Sequence, residues 1–280
     1  MKKQRMLLSF SGGHTSAYMT KQLVDNFSHI YDFVIVFANT GQENEKTLVF
    51  VDRCAREWGL DIVWVEAVVF PGARVGTKHR VVSFETAARR GEPFEAVIEK
   101  YGIPNRNYPH CTRELKQKPI HSYLRSIGWK LGEYQTAIGI RTDETRRVGG
   151  EAKYRIVYPL IDLFPTDKQD VNAWFEQQPF NLGLREHEGN CSWCWKKTLT
   201  KHARLIKETP EIYSFPRRME RIHALTGSGH GPRVFFRTGL STDQLFALCD
   251  QASALPPLAG DDAAGGCGES CEMYSSGAAA

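Results

Sequence analysis

The chain of 280 residues is long enough for one large domain with an appendage or for two modest ones, and its 41% hydrophobic and 24% charged content is ordinary for a soluble globular protein. Thirty-six Lys and Arg against 32 Asp and Glu leave a net charge of only +4, which by itself selects no polyanionic partner. No apolar run approaches the roughly 20 residues of a membrane helix, and the apolar stretch after the basic start is too short for a signal peptide, so a cytoplasmic protein is expected.

Taken in order, "RMLLSF" (5–10), "DFVIVFA" (32–38) and "DIVWVEA" (61–67) are short apolar runs bounded by turn signals and predict buried strands. Between them "TSAYMTKQLVDNF" and "ENEKTLVFVDRCAREWG" space their apolar residues as helices do, the second closing on Gly59. That β-α-β-α-β order predicts an α/β domain with a mostly parallel sheet and helices on both faces. Residues 69–107 are richer in Gly, Pro and Arg and are expected to form a mobile loop-and-helix segment beside the site. "NYPHCTRELKQKP" places Cys111 at the start of a helix expected to end near Pro119. "YQTAIGI" (134–140) and "YRIVYPL" (154–160) predict two later strands. "ETPEIYSFPRRMERIHAL" and "STDQLFALCDQA" then suggest short helices. From residue 254 the chain is Ala/Gly/Ser/Pro-rich and expected to be disordered. The division is thus 1–207 for the α/β domain with its cysteines, 208–253 for a small helical extension and 254–280 for the tail.

Chemistry concentrates in two places. After the first strand, Ser11-Gly12-Gly13-His14-Thr15-Ser16 leads into a helix. Glycines there let backbone N–H groups approach an oxyanion, the helix N-terminus adds its positive dipole, and Ser11, Thr15 and Ser16 add hydroxyls. The Gly-Lys-[Ser/Thr] ending of a Walker A loop is absent. The plain alternative is a tight turn with Thr15 or Ser16 as helix N-cap. Basic pairs flank several of the motifs, at Lys78 and Arg80, Arg89-Arg90, Arg146-Arg147, Lys196-Lys197 and Arg217-Arg218, as a nucleotide or polyanion would require.

The seven cysteines form the second signal. In a cytoplasmic protein they are ligands or redox groups sooner than disulfides, and Cys191-x-x-Cys194 with a distant Cys111 suits soft-metal ligation. The spacing puts both thiolates of the pair on one turn, where Lys196 and Lys197 would favour their deprotonated form. Three readings stand: a 4Fe–4S cluster on Cys111, Cys191 and Cys194; structural zinc on the same three with His110, His202 or a tail cysteine; or a redox pair or plain buried thiols. Cys54 and Cys249 read as core residues. Cys267 and Cys271 are held as reserve ligands or sulfur carriers against incidental tail cysteines.

"SFSGGHTSAYM" resembles the pyrophosphate loop, Ser-Gly-Gly-x-Asp-Ser, of the adenine-nucleotide alpha-hydrolase (PP-loop ATP pyrophosphatase) superfamily, within its phosphoadenylyl-sulfate (PAPS) reductase-like branch. Thr15 stands where Asp is usual, as in members of that branch that include phage-encoded ones. "VFANTGQENEKTLVFV" and "AIGIRTDETRR" are similar to two further family segments, and Cys-Thr-x-x-Leu-Lys and Cys-x-x-Cys segments occur in relatives at the corresponding places. The resemblance spans about residues 7–207. It implies ATP bound by Ser11, Gly12, Gly13, His14, Thr15 and Ser16 with Asn39, Thr40 and Gly41 at adenine or ribose. It implies Arg141 on phosphate and Asp143 and Glu144 serving Mg2+ or orienting arginines, where taken alone these would be a surface charge pair. The activity implied is alpha-beta cleavage of ATP that adenylates an acceptor for sulfur transfer, with tRNA or DNA as acceptor, as in DNA-phosphorothioation pyrophosphatases, and a cysteine desulfurase as sulfur donor. Reduction of adenylyl sulfate or PAPS to sulfite, which PAPS reductases carry out with a Cys on a mobile tail, is the second expectation. A non-catalytic nucleotide-binding module is the third.

Overall fold

The computed structural model describes residues 3–72, 75–149, 152–227 and 231–251. The tail expected from residue 254, with Cys267 and Cys271, lies outside the described residues. Six strands form one sheet: β1 (Gln4–Phe10), β2 (Tyr31–Asn39), β3 (Ile62–Val68), β4 (Lys78–Val82), β5 (Gln135–Ala137) and β6 (Ile156–Val157). Their spatial order is β4-β3-β2-β1-β5-β6. All neighbours run parallel except β4, which pairs antiparallel to β3 through Glu66↔Arg80 and Val65↔Val81.

Period-two alternation splits the strands between two cores. Leu8, Phe10, Ile35 and Phe37 face a layer made by α1 (His14–Phe27), α2 (Glu45–Trp58) and, further along the chain, the aromatic Phe175 and Phe180. Leu7, Val36, Ala38 and Val65 face the other side, covered by Ile120, Leu124 and Trp129. Because both faces are covered, the central strands read as unbroken apolar runs. α2 closes on Gly59, as the sequence predicts, with that residue in the left-handed region, and Asn44 caps its start by accepting the Lys46 N–H.

Residues 69–107 hold more order than a loop-and-helix segment: the edge strand β4 and then α3 (Glu92–Tyr101). The helix that starts at Cys111 does not stop at Pro119. It passes through a π turn (Arg113–Gln117) into α4 (Lys118–Ser126), with Lys118 N–H bonded to the Arg113 carbonyl, so Pro119 sits in the first turn of the new α segment, where its missing N–H costs little. The predicted strand at 154–160 is cut to two residues because Pro159 opens a short helix, α5 (Pro159–Asp162); α6 (Lys168–Glu176) follows. The C-terminal part supplies α7 (Leu199–Glu208), α8 (Ser214–His223) and α9 (Thr242–Gln251). These helices share a third core with α3 and the Cys-x-x-Cys segment, built on Phe94, Trp193, Tyr213, Phe215, Phe235 and Leu245. No helix among the described residues is long and apolar enough to cross a membrane.

Candidate functional site

The sheet order reverses between β1 and β5, and open α/β sheets bind ligands in the crevice at the carboxyl ends of the strands that flank such a reversal. The glycine turn follows β1 there, and Arg141 follows β5. Gly12 is required twice: its φ is +81°, and a Cβ would lie 2.6 Å from Thr47 Cγ2. Gly139 lets the end of the β5 segment pass the turn, since a Cβ would come within 3.2 Å of Ser16 Cα.

The turn is held by Ser16, whose Oγ donates to the Gly13 carbonyl (3.0 Å) and accepts the Ser11 N–H (3.1 Å), with Ser11 Oγ 2.9 Å away. Neither Thr15 nor Ser16 acts as the N-cap; that position is Gly13, so α1 begins without a side-chain cap. Thr15 Oγ1 instead accepts from Arg141 Nη1 at 2.9 Å. The nearly buried Arg141 guanidinium thus stands against the turn, and its fork also donates to both carboxylate oxygens of Asp143 (2.9 and 3.0 Å). Those bonds hold the Asp143 carboxyl below its usual pKa. Glu144 is buried: Oε1 accepts from Arg147 at 2.5 Å, while Oε2 has no hydrogen-bond partner and lies 3.4 Å from Arg141 Nη1. That oxygen is thus held by an ion pair with Arg141 and not by a hydrogen bond.

Other candidates from the sequence take different places. The His14 ring stacks on Phe175 and meets Asn181, where burial lowers its pKa; only its backbone belongs to the turn. Asn39 is fully buried and committed: Nδ2 donates to Glu66 Oε1 (2.6 Å) and the Ala88 carbonyl (2.8 Å), and Oδ1 accepts the Gly41 N–H (3.1 Å). It shapes the turn after β2 and has no amide hydrogen directed at a nucleotide in this arrangement. Thr40, grouped with it in the sequence, reaches the cysteines: its Oγ1 lies 3.5 Å from Cys191 Sγ and donates to Glu43 at 2.8 Å.

Cys111, Cys191 and Cys194 line one small pocket, with Thr40, Lys116 and Trp195 among its other walls. Cys191 is anchored by a backbone bridge to Glu43, and Cys194 N–H closes a turn on the Cys191 carbonyl at 3.0 Å. Trp193 between them is buried against Phe94, Phe215 and Phe235. Among the described residues no group of three or more His, Cys, Asp or Glu is arranged to hold a metal ion. Neither His110 nor His202 is among the residues lining the pocket: His110 Nε2 is 3.1 Å from the Gly102 carbonyl, and His202 Nδ1 is 2.7 Å from the Tyr213 hydroxyl. Lys197 and Lys196 turn away from the thiols as well, Lys197 donating to the Gly189 carbonyl and Lys196 lying over the Trp195 ring. The cation in the pocket wall is Lys116.

Sequence reading missed Glu66. This fully buried carboxylate at the end of β3 accepts from Asn39, the Ala88 N–H (2.6 Å) and the Arg80 fork (2.9 and 2.6 Å), tying three segments to the turn that carries Thr40. Its signal was one acidic residue inside an apolar strand, "DIVWVEA".

No protein-family model matches the chain. It is homologous to an uncharacterized nin region protein, ORF290, of Escherichia phage lambda, 29% identical over 278 residues that cover 96% of this chain and 94% of the phage protein. It is also homologous to two uncharacterized proteins of Methanocaldococcus jannaschii. One is 27% identical over 170 residues, 59% of this chain and 34% of the archaeal protein. The other is 26% identical over 122 residues, 44% and 20% respectively. The chain therefore spans about a third or less of these archaeal relatives.

Proposed function

We propose that the protein is an ATP pyrophosphatase of the PAPS reductase-like branch of the adenine-nucleotide alpha-hydrolases, serving sulfur transfer. The observation that carries this reading is the join of two features at one end of the sheet. A glycine turn backed by Arg141 stands at the strand-order reversal, and a three-cysteine pocket begins one turn away, at Thr40.

In this reading the Ser11–Ser16 turn cradles the phosphates with its backbone N–H groups. Arg141 exchanges bonds with Thr15 and Asp143 for phosphate oxygens, its planar fork matching them. Glu144, with Asp143, would hold Mg2+, which neutralises charge developing on the phosphates. An acceptor oxygen attacks the alpha phosphorus and pyrophosphate departs, leaving the oxygen as an adenylate ester. A sulfur nucleophile then displaces AMP at the acceptor carbon or phosphorus. Cys111, Cys191 and Cys194 would hold a 4Fe–4S cluster, which when bound supplies a sulfur-binding, one-electron centre. The acceptor favoured is nucleic acid, tRNA or DNA, with a cysteine desulfurase as sulfur donor.

The test is incubation of anaerobically purified protein with Mg2+ and either ATP or PAPS. Pyrophosphate from ATP, abolished by Arg141→Met, is the expected result. Sulfite from PAPS would replace this reading with the reductase, and intact nucleotide binding with neither product would replace it with a non-catalytic nucleotide-binding module.

A further inference from the structure

The carboxyl end of β3 opens into a second cleft, which the pyrophosphatase chemistry leaves unused. It encloses about 900 Å3 between residues 69–72 after the strand, the last turns of α3 and the π segment. That is the size of a pocket that buries a small ligand. Because β1, β2 and β3 run parallel, it lies at the same end of the sheet as the glycine turn. The π segment separates it from the thiols: Arg113, Glu114 and Lys118 line the cleft, while Cys111 and Leu115 line the cysteine pocket.

The charges in the cleft do not cancel. Glu114 is buried with both oxygens engaged, Oε1 by Arg113 Nε at 2.7 Å and Oε2 by the Thr77 hydroxyl at 2.5 Å. Lys100 is committed too, its ammonium donating to the carbonyls of Phe70 and Val75 (2.8 and 2.6 Å). The Nη groups of Arg113, whose side chain is 55% exposed, and the ammonium of the exposed Lys118 have no hydrogen-bond partner among the described residues. Against these two cations stands one exposed carboxylate, Glu99. Phe70 adds an exposed ring and Tyr101 a half-buried one. Cations beside aromatic rings suit an unpaired nucleotide, with its phosphate on the charges and its base on a ring. A duplex keeps its base faces inside its own stack and gains nothing from the rings.

We propose that this cleft binds the acceptor as a single strand, with Arg113 and Lys118 on backbone phosphates and Phe70 against an unpaired base. This rests on the nucleic-acid acceptor of the reading above and narrows it to an unpaired segment.

The full chain is titrated by fluorescence anisotropy against labelled short single strands of DNA and of RNA, and against the same DNA as a duplex, over a range of salt. Either single strand is expected to bind more tightly than the duplex, and the tighter of the two names the acceptor. Arg113→Gln with Lys118→Gln should weaken single-strand binding about tenfold or more and flatten the slope of log affinity against log salt by about 1.4, each phosphate contact on a single strand contributing about 0.7. Phe70→Ala should cost about tenfold with the slope unchanged. Equal binding of duplex and single strand, variants that bind as wild type, or full displacement of the strand by AMP, which marks a mononucleotide pocket, each overturn the proposal. Pyrophosphate released from ATP with strand binding unmoved by the variants overturns the strand site and leaves the pyrophosphatase reading. Strand binding lost in the variants, with no pyrophosphate from the wild type, overturns that reading and leaves the strand site. If circular dichroism shows that the double variant does not fold, Lys118→Gln alone, which has no partner to lose, decides.

Discussion

The two halves of the candidate site are built by opposite strategies. The phosphate side is contiguous: six residues running from the end of β1 into α1 supply the turn, and one arginine that follows the neighbouring strand braces it. The cysteine side is assembled from four distant segments, at residues 40, 94, 111–116 and 191–195, and backed by aromatic packing that includes Tyr213, Phe215 and Phe235 of the C-terminal part. A contiguous turn fails when its own backbone is disturbed. An assembled pocket fails when the core behind it does.

The hardest test of that contrast is Trp193→Ala, which empties the centre of the aromatic cluster. It should destabilise the protein by about 3–5 kcal/mol in denaturant unfolding, and at low denaturant should raise the reactivity of the site cysteines toward a thiol reagent while ATP binding persists. ATP binding lost in step with thiol exposure would show that the halves are one unit. Next comes Gly12→Ala, with its Cβ pressed on Thr47 and a positive φ: about 1–3 kcal/mol of stability and most nucleotide affinity should be lost, read by calorimetry, with thiol reactivity unchanged.

Acid separates the halves more gently. Burial of His202 beside Tyr213, with Lys197 and Arg237 adding repulsion, lowers its pKa from 6.5 to about 3. The native state therefore binds fewer protons than the unfolded chain between those values. The stability from neutral His202 is complete above pH 6.5 and falls by up to about 1.4 kcal/mol per unit below it. Protection factors for amide exchange in α7, corrected for the intrinsic rate at each pH, should fall accordingly from pH 6.5 to 5, and a His202→Gln variant should lose that part of the slope. On the phosphate side Asp143 is depressed instead, so its contribution is lost only as pH falls below the ordinary carboxylate range. The smallest effect is expected from Thr15→Ala, which removes one acceptor from Arg141 and should cost about 0.5–1.5 kcal/mol, seen as a small fall in melting temperature.

The same contrast governs what could be read before the fold was known. Leu7, Leu8 and Phe10, or Val36, Phe37 and Ala38, announce buried strands because burial on both faces leaves a continuous apolar run. The glycine turn announces itself because its requirement is local. Pro119 misled because a π turn upstream lets a helix absorb a proline that would otherwise end it. Thr40 was placed with nucleotide contacts because sequence adjacency to Asn39 hides the fact that successive residues leave a strand in opposite directions. The lysines after Cys194 misled because they lie in a turn that carries them to the Gly189 carbonyl and the Trp195 ring, while Lys116, 78 positions before it, lies in the pocket wall.

The antiparallel strand β4 has a consequence beyond the site. Its Lys78, Arg80 and Val81 are exposed, and two of those three are charged, so a second sheet seeking backbone partners along this margin meets cations. The opposite margin, β6, is two residues long. A parallel sheet with a wide apolar middle is thus bounded by one charged selvage and one too short to template anything. Neither margin offers a neighbouring chain a long uncharged row of backbone to pair with.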